Sequence, residues 1–411
     1  MAYAVFRIAF FAVFTGLHAV LMAGLFLEWR RDRRAAGHVA AGPEQGLPDA
    51  AALVSVVVPF RNEERRMKTL LAGLAAQDYP KKEFIFVDDR SEDGTGALLR
   101  AFAEKEAHVS IITLKENPGP NHKQFALEKG LEKAKGTLIL FTDGDCELGP
   151  GWIRAMVGRM GDSRTGAAIG PVFKKPLPAE EHFGENPAPD RVNGGSRKTG
   201  RTSFFSLYQC FDHAVRYMYL AASTGLGAAG GGFGNNLILK REVLDAIGGY
   251  GTVPVSPTED AALISRIRAI TDYRIRSICG TDAAVITAPE YSWKAFLRQT
   301  LRWNNGGLFS PDLGTRCNFS FLMVTISMGM LALPVVPLLP GLWPLPAAVL
   351  LSMSANTVAT LILFGAFLPK AGPAYIFQIL FTPVYFTFLT ILGLLGFKPA
   401  WKTQIHEHNA A

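Results

Sequence analysis

An α/β fold, built on a mostly parallel, doubly wound sheet and held between membrane-spanning helices, is the class this sequence predicts. Three observations lead to it. Between residues 54 and 143, four short apolar runs alternate with helix-patterned segments. That β-α-β-α order makes a parallel sheet with helices on both faces. Apolar stretches long enough to cross a bilayer, which takes about 20 residues, stand at both ends of the chain, with a mixed globular composition over 50–310 between them. Hydrophobic residues are 49% of the 411, and the mean hydropathy of +0.17 is high for a wholly soluble enzyme.

The elements follow in order. Residues 3–28 form the first apolar stretch, and 1–28 is assigned as an N-terminal transmembrane helix. Only Arg7 precedes its apolar core, while Arg30, Arg31, Arg33 and Arg34 follow it. This pattern argues against a signal peptide and turns the next domain toward the cytoplasm. Residues 29–52 read as a basic flank and an Ala/Gly/Pro-rich linker. Strands are expected at 54–60, 83–89, 109–114 and 137–143, with helices at 62–77, 94–107 and 121–135. Ligands in such sheets sit outside the carboxyl ends of the strands. The Pro/Gly-rich segment 174–202 is expected to be a mobile loop near the site, 203–222 a helix and 225–236 a glycine-rich loop. The catalytic domain is bounded at 53–310, the C-terminal membrane helices at 311–398 and a polar tail at 399–411.

Two to three C-terminal spans are expected, from stretches 318–341, 343–369 and 374–397. Pro334, Pro337 and Pro340 make the first a candidate re-entrant segment. Such a segment would reconcile a cytoplasmic domain with Lys398 and Lys402, which favour a cytoplasmic C-terminus.

The net charge is +7. The basic cluster "EWRRDRR" directly follows an apolar run, as a cytoplasmic flank does. No basic array interleaved with aromatics suits nucleic acid. Cys146, Cys210, Cys279 and Cys317 lack metal-ligand spacing and suggest no disulfide framework. "HEH" at 406–408 is read as polar tail, and no internal repeat is found. "GLGAAG" (225–230) matches a dinucleotide fingerprint but follows a helical pattern instead of a strand, so it is read as backbone passing close to a ligand or another element.

The acidic motifs carry the chemistry. "FTDGDCE" sets Asp143 and Asp145 one glycine apart past a strand, where they suit a hard divalent cation as well as a simple Asp-Gly turn. "FVDDRSEDGTG" sets Asp88 and Asp89 at another strand end, suited to a nucleoside's ring N–H and ribose hydroxyls, with Ser91 and Thr95 as caps of the next helix. Lys123 starts a helix, where it suits a phosphate but, as a lone lysine, reads first as a solvated side chain. In "SPTEDAALISRI", Ser256 with Glu259 fits a capping box and Pro257 the first helical position; Asp260 is left over as a general base. In "KAFLRQTLRWNNGG", Gln299, Arg302 and Trp303 share a helix face: an amide, a cationic fork for a leaving diphosphate and an aromatic floor for a sugar. The same helix also reads as amphipathic and interfacial.

In combination, "VSVVVPFRNEE", "VDDRSEDGT", "FTDGDC", "TED" and "QTLRW" resemble, in this order, the motifs of membrane-bound family-2 glycosyltransferases over about residues 54–305. The resemblance implies a nucleotide-diphospho-sugar transferase fold of GT-A type. It implies donor binding around Pro59 and Glu63, by Asp88 and Asp89, and by Asp143 and Asp145 with Mg2+ or Mn2+. It implies Asp260 as base, and Gln299, Arg302 and Trp303 at acceptor and diphosphate. One base implies one displacement and hence inversion at the anomeric carbon. The expected donor is a UDP-sugar, and the expected acceptor is lipid-like: a glycolipid, a polyprenyl carrier or a carotenoid hydroxyl. The expected location is the cell membrane, multi-pass, with the catalytic domain cytoplasmic. Segment 174–202 exceeds the usual pattern, which leaves the acceptor open. A processive polysaccharide synthase is the alternative, disfavoured because at most four spans are few to enclose a polymer channel. A transporter is disfavoured because the C-terminal spans hold no ionisable residue. An inactive sugar-nucleotide scaffold is disfavoured because every expected acidic position is filled.

Overall fold

In the computed structural model, residues 2–40, 52–178, 202–310 and 312–397 are described. The chain opens with one continuous helix, α1 (Ala2–Ala40). It then builds β1 (Val54–Phe60), α2 (Met67–Ala75), β2 (Lys82–Asp89), α3 (Thr95–Ala103), β3 (Val109–Leu114), α4 (His122–Lys133) and β4 (Leu138–Phe141). β5 (Glu147–Leu148), α5 (Trp152–Gly158), β6 (Thr165–Ile169), β7 (Val172–Lys174), α6 (Phe204–Gly225), β8 (Leu237–Lys240), α7 (Arg241–Ala246), α8 (Glu259–Ile270), β9 (Arg274–Ser277) and β10 (Val285–Thr287) complete the α/β domain. Four helices close the described chain: α9 (Trp293–Leu308), α10 (Leu313–Ala332), α11 (Pro344–Phe364) and α12 (Gly372–Leu394).

The main sheet has seven strands in the order β3-β2-β1-β4-β8-β6-β9, and β5-β10-β7 form a small second sheet. Every pair in the main sheet is parallel except the two that β8 makes, with β4 and β6. The fold is therefore the mostly parallel, GT-A-like sheet expected. Its central strands are apolar on both faces because both are covered. Val56, Val58, Phe84, Phe86 and Leu140 meet α2, α3 and α5. Val57, Ile85, Ile139 and Phe141 meet α4, α6 and α8.

Helix starts differ from the sequence reading, each for a physical reason. Residues 62–66 form a turn because Asn62 takes a left-handed φ of 53°. Ser91 and Thr95 do not cap α3; their hydroxyls accept from the N–H of Asn62 (3.0 Å) and Glu63 (2.8 Å), clasping the β1–α2 loop to the β2–α3 loop. The Ser256 capping box does not form either. α8 starts at Glu259 with Thr258 as its cap residue, and the Ser256 hydroxyl instead accepts from the Thr258 N–H at 3.2 Å. The β4 strand ends at Phe141, which leaves Asp143 in the loop beyond it.

Four helical segments are long and apolar enough to cross a membrane: Val5–Ala36, Leu313–Val335, Pro340–Phe364 and Gly372–Leu394. The first apolar C-terminal stretch, the candidate re-entrant segment, is one continuous helix over Leu313–Ala332. Its prolines fall in the turn between α10 and α11, which form a helical hairpin, and Arg7 Nη1 donates to Gly341 O at that turn (2.5 Å). α12 is the helix that returns to the domain at both ends. Tyr375 packs on Phe211 with ring centroids 4.7 Å apart, and Asn305 Nδ2 donates to Phe397 O at 2.9 Å.

α1 also overruns its expected end at residue 28. Its helical continuation covers part of the expected linker, and residues 41–51 lie outside those described. Two acids at that junction, Glu28 and Asp32, are buried in the domain. Glu28 accepts from Arg276 Nε (2.7 Å) and the Ser277 N–H (2.9 Å). Asp32 accepts from Arg159 Nε (3.1 Å) and from the N–H groups of Cys279 (3.1 Å) and Gly280 (2.8 Å). Removing one partner of a buried pair typically costs about 3–5 kcal/mol. Asp32→Ala should therefore lower the melting temperature in detergent by many degrees. Lys129→Ala, which breaks the exposed pair with Glu132 and a cation–π contact with Phe125, should change it far less.

Candidate active site

The carboxyl ends of β1, β2 and β4 open on one side of the sheet, and a line of alternating charges runs across them. It begins at Glu63, whose carboxylate meets Arg66 Nε at 3.0 Å. Arg66 Nη1 stands 3.7 Å from Asp145, which also accepts from Thr287 Oγ1 at 3.4 Å. Past Gly144, Asp143 binds the Lys123 ammonium at 2.8 Å. That ammonium also reaches Glu259 at 3.1 Å. Arg302, one helix away, donates to Pro257 O at 2.7 Å beside the same carboxylates. Gly144 is needed for the approach: a Cβ there would stand 2.8 Å from the Phe60 ring and 3.2 Å from Glu63 Cγ.

Local folding explains each placement. Pro59 has no N–H to donate and lies past the β1–β4 pairing, which ends at Val57. Lys123 enters α4 just after its cap residue Asn121, whose side chain accepts from the Gln124 N–H. It is an ion-paired group, not a solvated lysine. Asp88 and Asp89 end β2, both buried. Successive strand residues face opposite ways. Asp88 accepts from the Ser91 N–H at 3.1 Å, while Asp89 pairs with Arg90 Nε at 2.9 Å.

Asp260 follows Glu259 on α8. Its two oxygens accept from the Gly234 and Ala261 N–H groups, each at 2.8 Å. Cβ atoms at Gly232 and Gly234 would stand 3.0 and 3.1 Å from it, so the glycine-rich loop is the close-passing backbone the sequence suggested.

Electrostatics divide these acids. Burial, reinforced by Glu259, raises the Asp260 carboxyl above its ordinary range despite Lys123 and the two N–H groups. Burial would raise Glu259 too, but Lys123 and Arg302 hold it low. Burial would likewise lower Lys123, yet Asp143 and Glu259 hold it well above its usual value. Burial raises Asp143, and Asp145 pushes the same way against Lys123. Adjacent carboxyls driven apart in this manner mark acid–base sites.

Whether Asp143 and Asp145 suit a divalent cation can be judged from the same contacts. Their oxygens are hard donors and they repel each other, a conflict a cation relieves. Lys123 already holds Asp143, so the cation would share that carboxylate. Among the described residues no group of three or more His, Cys, Asp or Glu side chains gathers as a metal cage. The pair therefore fits an ion completed by substrate oxygens.

The third predicted face divides. Arg302 turns toward α8, whereas Gln299 and Trp303 meet a second cluster. Lys174 Nζ donates to Gln299 Oε1 (2.9 Å) and stands 5.8 Å from the centre of the Trp303 ring. Gln299 Nε2 donates to Glu290 at 2.7 Å, and the Arg216 guanidinium lies 5.4 Å from the same indole. Sequence reasoning missed Arg66, Lys174, His213, Arg216 and Glu290, and gave Glu259 a capping task. Arg66 had a signal, its i+3 spacing from Glu63; a lone helical histidine had none. Of segment 174–202, residues 179–201 lie outside those described.

Residues 55–181 match the family model for glycosyl transferase family 2, and residues 193–397 match that for glycosyl transferase family group 2. Poly-beta-1,6-N-acetyl-D-glucosamine synthase of Staphylococcus epidermidis is 24% identical over 259 residues, which cover 62% of this chain and 54% of that one. Dodecaprenyl-phosphate galacturonate synthase of Rhizobium johnstonii is 35% identical over 111 residues, 26% of this chain and 32% of its own. The chain thus spans about half, or less, of the length of these curated relatives. Mannosyltransferase PcManGT from Pyrobaculum calidifontis, solved in complex with GDP-Man and Mn2+, shares the fold: TM-score 0.52, 21% identity, 95% of this chain and 99% of that one.

Proposed function

Because the chain belongs to the family-2 glycosyltransferases, we propose that it transfers a sugar from a nucleotide-diphospho-sugar, a UDP-sugar, to a lipid-like hydroxylated acceptor at the membrane, with inversion at the anomeric carbon. The observation that carries this reading is the Lys123 bridge. One ammonium touches Asp143 of the strand-end motif and Glu259 of the "TED" motif, so donor-side and acceptor-side carboxylates share one cleft.

Each residue then has a task. Asp88 and Asp89 hold the nucleoside, beside the Pro59–Glu63 segment. Asp260 takes the proton of the acceptor hydroxyl while that oxygen bonds to the anomeric carbon. The bond from that carbon to the diphosphate breaks, and its electron pair leaves with the nucleoside diphosphate. Lys123 and Arg302 offset the charge that develops there. Asp143 and Asp145 would hold Mg2+ or Mn2+, which supplies further charge neutralisation at the diphosphate. A single displacement inverts the anomeric centre. The names of the relatives support both single transfer to a lipid phosphate and polymer synthesis. Few membrane helices favour single transfer.

The test is direct. Purified protein, supplied with a panel of nucleotide sugars and total membrane lipid, should yield lipids heavier by one sugar in mass spectrometry. A ladder of masses would instead assign processive synthesis, and no product from any donor would sink the transferase reading.

Localisation belongs to the same proposal: an integral, multi-pass protein of the cell membrane, its catalytic domain cytoplasmic. Asn305 holds Phe397 beside the catalytic domain, which supports a cytoplasmic end for α12 together with the Lys398 and Lys402 of the sequence. Leu395→Cys, in a Cys317→Ser background that removes the exposed native thiol, should react with an impermeant maleimide in inside-out vesicles only. Labelling in right-side-out vesicles would reverse this topology.

A further inference from the structure

Two buried histidines invite comparison. His18 has both ring nitrogens satisfied, by Phe14 O at 3.0 Å and Tyr219 Oη at 2.7 Å. His213, on α6 and only 5% exposed, has no hydrogen-bond partner at either nitrogen among the described residues. Leaving a buried polar group unpaired typically costs about 1–3 kcal/mol. Such a group in a folded protein calls for an explanation.

Its surroundings supply one. The imidazole sits edge-on to Phe233 of the glycine-rich loop, with centroids 5.1 Å apart. It lies 5.7 Å from Trp303, the indole on the acceptor face of α9. Lys174 and Arg216 flank the same indole. Their charges are matched nearby: Arg216 Nε bonds Asp212 at 2.7 Å, and Lys174 joins Glu290 through Gln299. Two cations against two carboxylates leave this cluster without net charge. Burial, with Lys174 and Arg216 adding to it, keeps the imidazole well below its ordinary range and hence neutral.

A neutral imidazole offers one donor and one acceptor. A hydroxyl answers either one, because it too donates and accepts. A phosphate dianion only accepts, and this balanced cluster offers it little excess positive charge. Indole beside neutral hydrogen-bonding groups and glutamine amides is the chemistry of a sugar ring. We propose that His213 and Trp303 form the headgroup subsite of the acceptor, and that this acceptor is a membrane lipid with a neutral glycosyl headgroup, one hydroxyl of which pairs with His213. The assignment rests on the transferase reading above and narrows it to one acceptor class.

The experiment compares monoglucosyl diacylglycerol with undecaprenyl phosphate, each in phosphatidylcholine vesicles, for the native protein, His213→Phe and His213→Asn. The native protein should use the glycolipid. His213→Phe should raise the KM for the glycolipid roughly 3- to 10-fold, the loss of one neutral hydrogen bond, with the donor KM unchanged. Its melting temperature should hold or rise, because it removes an unpaired buried polar group. His213→Asn, which keeps a donor and an acceptor, should recover part of the glycolipid KM. Transfer confined to undecaprenyl phosphate would overturn the neutral-headgroup assignment alone. An unchanged glycolipid KM in His213→Phe, or equal rises in donor and acceptor KM, would make His213 a packing residue. No turnover of any nucleotide sugar with either lipid would overturn the transferase reading itself.

Discussion

Replacing Asp260 with asparagine is expected to cut turnover by about a hundredfold or more while donor binding stays near that of the native enzyme. A general base contributes about 10²–10⁴-fold, or roughly 3–5 kcal/mol at 1.36 per decade. The structural cost is smaller but not nil. Both Asp260 oxygens accept backbone N–H groups, so the amide nitrogen of asparagine must face one of them. One lost hydrogen bond costs about 0.5–1.5 kcal/mol. A modest fall in melting temperature with a collapse of turnover would identify the base. A modest fall with near-normal turnover would confine Asp260 to shaping the glycine-rich loop. The pH profile gives an independent check. The base must be ionised to act, and its raised pKa means that it gains a proton earlier as pH falls. The kcat/KM should thus be lost on the acid limb at a pH above the ordinary carboxylate range, about 3.9 for aspartate. Glu259→Gln, in turn, should be harmful and not mild, since it takes a carboxylate from Lys123 and performs no capping.

Asp145→Ala should abolish transfer, and excess chelator should do the same to the native protein, with Mg2+ or Mn2+ restoring it. A cation at a departing phosphate supplies several kcal/mol of charge stabilisation, so the loss should be about 10²–10³-fold. UDP binding should weaken in parallel, a readout that does not depend on turnover. Asp145 is the more diagnostic of the pair. Removing Asp143 would also release Lys123 from its 2.8 Å partner, whereas among the described residues Asp145 meets Thr287 at 3.4 Å and Arg66 at 3.7 Å. Full activity in chelator would leave Lys123, Arg66 and Arg302 as the cations at the diphosphate.

The α/β order was legible because short continuous apolar runs bounded by acidic turns reflect strands covered on both faces. β8 escaped because LILK at Leu237–Lys240 is four residues behind a glycine-rich loop, and its antiparallel pairing depends on partners far away in sequence. The acidic positions were legible from their place at strand ends. Glu259 was misread because S-x-x-E is a local pattern. What overrode it was Lys123, 136 positions earlier, whose ammonium needed a second carboxylate. His213 was illegible for a related reason: its meaning lies in what it does not touch, and no local pattern records an absence of partners.

The continuous helix α1 has a consequence of scale. Its 39 residues span about 58 Å at 1.5 Å per residue, against roughly 30 Å of bilayer hydrocarbon. The remainder is a rigid strut, and Glu28 and Asp32 bolt the β9 edge of the catalytic sheet to it. An enzyme on a slack tether samples a range of heights above the lipid. On a strut the stand-off is set once, by the number of helical residues between the apolar span and the acids that grip the sheet.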